Sequence, residues 1–170
     1  MTFRLLLLSF WWTLFIPLQT QGNETGDRVT ATTDLRADSR LAAAKRLPLL
    51  LMVSQKDCVY CVLLKREIIR PMVISGEYVN KVVIREMFMD AGVRVKDFDG
   101  KETKAKDLAH RYKVFLTPTL LLLDADGREL TRRIVGVNSL DMYGVYLDEA
   151  IEDALDRLRA RAGSDGQEHH

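Results

Sequence analysis

From Asp34 onward, apolar residues fall in short blocks set between charged stretches, and the spacing inside each block predicts its element. Leu49-Leu-Leu-Met-Val53 is an unbroken apolar run, the pattern of a strand buried on both faces. Before it, Asp34 or Asp38 is placed to cap a helix that passes through Leu41-Ala-Ala-Ala-Lys-Arg46 and stops ahead of Pro48. After it, Val62, Leu63, Ile68 and Ile69 recur at near-helical intervals from Cys58, and Pro71 is expected to break or kink that helix after Arg70, with a second helical piece over Met72 to Val79. Val82 to Phe88 reads as a further strand, and Asp97 to Lys106 as a polar insertion forming a solvated loop. Lys106 to Tyr112 reads as a short helix. Thr119 to Leu123 then returns to strand, Asp124-Ala-Asp-Gly127 is a turn, and Glu129 to Val135 comes back antiparallel to complete a hairpin. Leu140, Tyr143, Leu147, Ile151, Ala154, Leu155 and Leu158 mark one face of a long amphipathic helix that packs on a sheet.

The two ends carry no such periodicity. Leu5 to Leu18 is apolar apart from Ser9, Thr13 and Pro17, follows Arg4, and is shorter than the roughly 20 residues that span a bilayer as a helix. It reads as a signal peptide over residues 1–22, cut after Gly22, which places the remainder in the periplasm or outside the cell. The other reading is an uncleaved membrane anchor, to which the Trp11-Trp12 pair would suit an interface. Residues 23–46 hold a polar linker, Asn23 to Thr33, and the first helix; Gly163 to His170 reads as a disordered tail.

Charge removes one class of partner. The formal net charge of the 170-residue chain is +1, and its Lys and Arg residues alternate with Asp and Glu, so no basic face is available for nucleic acid. Chemistry concentrates instead in Cys58-Val59-Tyr60-Cys61, the only two cysteines present. A disulfide across two intervening residues restricts the unfolded chain hardly at all, so it serves exchange rather than stability. At a helix start, backbone N–H groups and the helix dipole favour a thiolate on Cys58, which makes it a nucleophile. No second cysteine pair exists to complete a zinc site of the usual kind, and no metal or other cofactor is expected beyond the redox-active Cys58–Cys61 disulfide.

The order helix, strand, Cys-x-x-Cys helix, strand, helix, Thr-Pro strand, hairpin and helix, together with Thr117-Pro118-Thr119, resembles the thioredoxin fold: α/β, with a central mixed sheet of four to five strands flanked by helices. The resemblance covers nearly the whole span from Asp34 to Ala162, with the thioredoxin-like domain drawn at residues 47–162, and is closest in kind to secreted bacterial members, including those associated with sulfur-oxidation (Sox) operons. It implies that the Thr117–Pro118 bond is cis and faces the cysteines, that Thr117 pairs with an extended substrate segment, and that Gly136 ends the last strand beside it. Val59 and Tyr60 would form an apolar lip against a disulfide-containing partner protein. A membrane thiol-disulfide transporter is the electron donor that the resemblance implies.

The chain departs from the cytosolic thioredoxins at two places. Met52 stands six residues before Cys58, where they carry a buried Asp that moves the proton of the second cysteine; Glu67 is a substitute if it turns toward Cys61. Asp57 precedes the motif, an acidic neighbour that disfavours a thiolate and that Lys56 offsets. The resulting expectation is a thiol-disulfide oxidoreductase acting as a reductant, through attack by Cys58 and resolution by Cys61. A thiol oxidase or isomerase running the exchange in reverse, and a copper-handling protein using the two soft sulfurs, are the other classes. Potential, substrate and oligomeric state are not legible in the residues.

Overall fold

The computed structural model describes residues 29–165. The cleavage position after Gly22 and the last five residues lie outside them. In chain order the elements are α1 (Leu35–Lys45), β1 (Leu49–Ser54), α2 (Val59–Leu64), a π-helical segment (Lys65–Ile69), α3 (Arg70–Ser75), β2 (Val83–Phe88), β3 (Arg94–Lys96), β4 (Glu102–Lys104), α4 (Ala105–Arg111), β5 (Thr119–Leu123), β6 (Ile134–Val135) and α5 (Tyr143–Asp165). They build a four-stranded mixed sheet in the order β2-β1-β5-β6 and a separate β3-β4 hairpin. No helix among the described residues is long and apolar enough to cross a membrane.

Every residue of β1 is buried, as its unbroken apolar run requires of a central strand. It runs parallel to β2, with Met52 opposite Glu86 and Ser54 opposite Phe88, and antiparallel to β5, with Leu51 opposite Leu121. The amphipathic face expected of α5 is the buried one: Tyr143, Leu147, Ile151, Ala154 and Leu155 all lie in the core. Helix α1 is capped by Asp34, whose side chain accepts a hydrogen bond from the Ala37 N–H at 2.9 Å; that bond holds its carboxyl below the usual range. Leu35 and Ala42 of this helix are buried, so α1 packs into the core. The segment before it is also engaged: Ala31 bridges to Glu86 and Asp34 to Lys96, both in parallel sense, which sets residues 30–32 along the edge of β2 and residues 33–34 beside β3 rather than in a free linker.

Pro71 does not break its helix. The chain passes from α2 into α3 through the π-helical segment, where the Arg70 N–H reaches back five residues to the Lys65 carbonyl. A proline cannot donate to the carbonyl four residues earlier and crowds it; the widened turn just before Pro71 relieves both problems. The helix ends at Ser75, with Gly76 left-handed at φ 73°, four residues short of Val79.

Two further expectations are corrected. The Glu129–Val135 return pairs with β5 only at Ile134–Val135 and at a bridge from Leu123 to Glu129; between them Arg133 leaves the ladder to meet Glu129 and the Tyr112 carbonyl. The stretch from Asp97 to Lys106 is not a solvated loop, since it holds β4 and the start of α4, and Asp97 is buried. The reason is a turn that the chain builds twice, in Asp97-Phe-Asp-Gly-Lys-Glu102 and Asp124-Ala-Asp-Gly-Arg-Glu129. In each, one carboxylate oxygen of the leading Asp accepts the N–H groups two and four residues on: Asp99 and Lys101 for Asp97, at 3.1 and 3.0 Å, and Asp126 and Arg128 for Asp124, at 3.0 and 2.8 Å. The other oxygen takes an arginine, Arg111 at 2.8 Å and Arg161 at 2.7 Å. Gly100 and Gly127 sit at φ 82° and 77°. A charged side chain thus pairs with the backbone donors that the tight turn leaves outside any ladder. The two turns meet through Tyr112, whose hydroxyl donates to the Gly127 carbonyl at 2.6 Å, and through Phe98, edge-on to the Tyr112 ring. Helix α5 continues to Asp165, three residues into the stretch read as a tail.

Candidate functional site

Strand β1 delivers the chain to Cys58, which takes extended dihedrals (φ −89°, ψ 102°) and caps α2. Cys58 and Cys61 are joined in a disulfide with their Cα atoms 5.2 Å apart. The Cys61 N–H points at the Cys58 Sγ at 3.1 Å, so the first sulfur sits where the unpaired donors of the helix start converge. Burial separates the two residues. Cys61 is completely buried, whereas Cys58 is only partly covered.

The Thr-Pro segment, 59 residues after Cys58 in sequence, lies beside this loop. The Thr117–Pro118 bond is cis. Thr117 donates its hydroxyl to the Gln55 side-chain oxygen at 3.1 Å, while the Gln55 backbone carbonyl accepts the Cys58 N–H at 3.3 Å. One residue therefore ties the proline loop to the cysteine loop. Gly136 completes the group: at φ 69° its N–H donates to the Pro118 carbonyl at 2.8 Å. The positive φ is the reason for glycine here, since a side chain at that position would meet no atom within 4 Å.

Val59 and Tyr60 are 76% and 59% exposed. Phe115 and Leu116, just before Thr117, are 70% and 66% exposed, and the Phe115 ring lies 5.5 Å from that of His110, itself on the surface. These two were not anticipated. Their signal was available, because two large apolar residues directly ahead of the Thr-Pro pair belong to neither the helix before nor the strand after.

The acidic neighbours distribute differently from expectation. Glu67 is exposed and paired with Arg66 at 2.5 Å, so it does not turn toward Cys61. A solvent-facing position on the helix allows the charge to stay hydrated at no cost, which the interior would not. Asp57 is exposed, and the Lys56 backbone N–H is taken by the Asp90 carboxylate at 3.1 Å. A carboxylate from another strand meets the residue one turn after Cys61: Glu86 is 3% exposed and pairs with Lys65 at 2.9 Å. Among the described residues, no group of three or more His, Cys, Asp and Glu side chains is placed to hold a metal ion.

The chain is similar to several solved structures. The DsbH oxidoreductase superposes with a TM-score of 0.53 at 17% identity, over 79% of this chain and 92% of its own. Spinach chloroplast thioredoxin f gives 0.49 at 19% identity, over 74% of this chain and 95% of its own. Mitochondrial thioredoxin 3 of Saccharomyces cerevisiae gives 0.46 at 21%, over 74% and 94%. At 17% identity the likeness to the DsbH oxidoreductase is one of fold alone. No curated protein matches the chain in sequence. The Thioredoxin-like domain family, by contrast, matches residues 35–151, from the start of α1 into α5 and across both cysteines and the Thr-Pro loop. The chain therefore belongs to the thioredoxin-like domain family and is a thiol-disulfide oxidoreductase, with Cys58–Cys61 as its redox pair.

Proposed function

We propose that this protein reduces disulfides of partner proteins in the periplasm, with Cys58 as the attacking thiolate and Cys61 as the resolving thiol. The observation that carries this reading is the unequal burial of the two sulfur-bearing residues beside the Thr117–Pro118 peptide. An exchange needs one sulfur that another protein can reach and a second that waits until the mixed disulfide has formed. Once the pair is reduced, the Cys61 N–H aimed at the Cys58 Sγ stabilises negative charge on the first sulfur. Thr117, Pro118 and Gly136 present backbone to an extended substrate segment, a short antiparallel pairing that sets its disulfide in line with Cys58. Val59, Tyr60, Phe115 and Leu116 supply the apolar contact on either side.

Direction rests on the residues between the cysteines. Val59 and Tyr60 add no positive charge that would hold a thiolate strongly enough to make an oxidant, so the dithiol is the form that reacts. The signal-like segment supports secretion with cleavage after Gly22, and in that compartment a membrane thiol-disulfide transporter would keep the pair reduced. Sulfur oxidation or cytochrome maturation would supply such substrates.

Replacing Cys61 by Ala tests the exchange. The variant C61A should accumulate partner proteins on Cys58 through disulfides that dithiothreitol releases, and the wild-type protein in cells should be found largely as dithiol. An empty trap, or stoichiometric copper on the purified protein, would end the reading; a mostly oxidised pool would reverse its direction.

A further inference from the structure

The resolving step just proposed must dispose of a proton. Cys61 is completely buried, so its thiol has no open path to bulk water when it turns nucleophile. Met52 offers no ionisable group and Glu67 faces solvent. Three carboxylates are buried among the described residues: Asp97 and Asp124 are committed to the two turns and their arginines, and Glu86 is the third. We propose that Glu86, held in place by Lys65, takes the proton from Cys61 in the resolving step and returns it when the disulfide is reduced, an assignment that rests on the dithiol exchange above.

The placement follows from register and helix geometry. Lys65 is four residues after Cys61, and its N–H donates to the Cys61 carbonyl, so the two side chains share a helix face at about 5–6 Å between their Cβ atoms. The Lys65 ammonium reaches the Glu86 carboxylate at 2.9 and 3.0 Å and lies 5.3 Å over the Phe88 ring. Glu86 and Phe88 are two residues apart on β2 and therefore point to one face of the sheet, the face that the cysteine helix covers. Met52 and Ser54 stand opposite them on β1. Two buried oxygens on this face keep spare capacity: the Ser54 hydroxyl has no hydrogen-bond partner among the described residues, and the Glu86 Oε1, though close to the ammonium, receives no aligned hydrogen bond. Unsatisfied buried polar atoms cost stability, and a pair of them on the sheet face that Lys65 reaches from one helical turn after Cys61 is where a proton can be accepted and passed, directly or through one water. Among the described residues, Lys65 is the charged side chain seated against Glu86. Arg85 points to the opposite side of the sheet, to Asp38, and residues 30–32 meet Glu86 only through backbone.

The step balances. In the mixed disulfide, the Cys61 S–H bond gives its proton to the Glu86 carboxylate as the Cys61 sulfur attacks the Cys58 Sγ. The Cys58–substrate S–S bond breaks, and the substrate leaves as a thiolate that takes a proton from water. Two electrons pass from the dithiol to the substrate disulfide, and Glu86 loses its proton to solvent as the partner departs. Lys65 is a positioning residue that balances the carboxylate charge.

Stopped-flow reaction of the reduced protein with 5,5′-dithiobis(2-nitrobenzoate) separates the two steps, because attack by Cys58 and resolution by Cys61 each release one coloured thiolate. The variant E86Q should release the first at the wild-type rate and the second about a hundredfold more slowly near neutral pH, the scale of a lost general base, with a rate that climbs as pH rises; E86D should recover part of the loss. Because E86Q leaves the Lys65 ammonium without its partner, the double variant K65M/E86Q is run beside it and should lose the second release in the same way. A second release with the wild-type pH profile in either folded variant would overturn the proposal. A wild-type protein that releases only one thiolate would overturn the role of Cys61 itself, and the relay with it.

Discussion

Phe115 is the place to test whether the apolar surface beside the Thr-Pro loop grips a protein. Its side chain is 70% exposed, with its ring tilted against that of His110, so truncation opens no core cavity. Full burial of a Phe side chain contributes about 1.5–3 kcal/mol, and since most of this one is still uncovered, a docked partner has about 1–2 kcal/mol left to gain from it. That energy corresponds to roughly a 5- to 30-fold loss of kcat/KM in Phe115→Ala. The loss should appear with a folded protein disulfide as substrate, followed by thiol release or by precipitation of its reduced chains. It should be absent with a small aromatic disulfide that reaches Cys58 without covering the loop. Thermal unfolding of the variant should stay within about 0.5 kcal/mol of the wild type, as for other surface substitutions. Equal loss on both substrates would mean that Phe115 orders the cysteine loop rather than the partner, and no loss on either would remove the apolar rim from the account of recognition.

Three other outcomes follow from the geometry. Gly127 and Gly136 share positive φ, but a Cβ at Gly127 would come within 2.6 Å of both the Phe98 ring and the Tyr112 hydroxyl, whereas one at Gly136 meets nothing. G136A should therefore cost about 1–2 kcal/mol in denaturant unfolding, the backbone penalty alone, and G127A clearly more, with the Tyr112 hydrogen bond broken. Asp97 has its carboxyl held below the usual range, chiefly by the hydrogen bond from Arg111. Its contribution to stability is thus whole above about pH 4 and drains away as pH falls through the lowered value; D97N should flatten the acid limb of the stability curve, read by melting at stepped pH. Burial pushes the Tyr112 phenol up to about 12. Its share of stability is complete below about pH 10, where an unfolded tyrosine begins to ionise, and is lost toward the folded value; an ultraviolet titration that finds Tyr112 ionising with the exposed tyrosines would contradict its placement against Gly127.

Local pattern was enough to specify most of the scaffold. Leu49 to Val53 could only be a strand buried on both sides, the spacing of Leu147, Ile151 and Leu155 could only face a core, and Cys58-Val59-Tyr60-Cys61 at a helix start announced exchange chemistry, because each of these signals sits within one element. What required the folded chain was every feature made by residues distant in sequence. Pro71 read as a break or kink between two helical pieces, and only the folded chain shows the widened turn that joins them, since how a helix passes a proline depends on how the freed carbonyls are accommodated. The stretch after Asp97 looked solvated because its side chains are charged, yet the Asp97 carboxylate turns inward to serve its own backbone and Arg111. Periodicity likewise offers no clue that Glu86, a charged residue in a short strand, is buried: that follows from its parallel register with Met52 and the reach of Lys65 from the helix above. Composition and spacing report on what a residue prefers alone. The partner that makes a buried charge tolerable is supplied by topology.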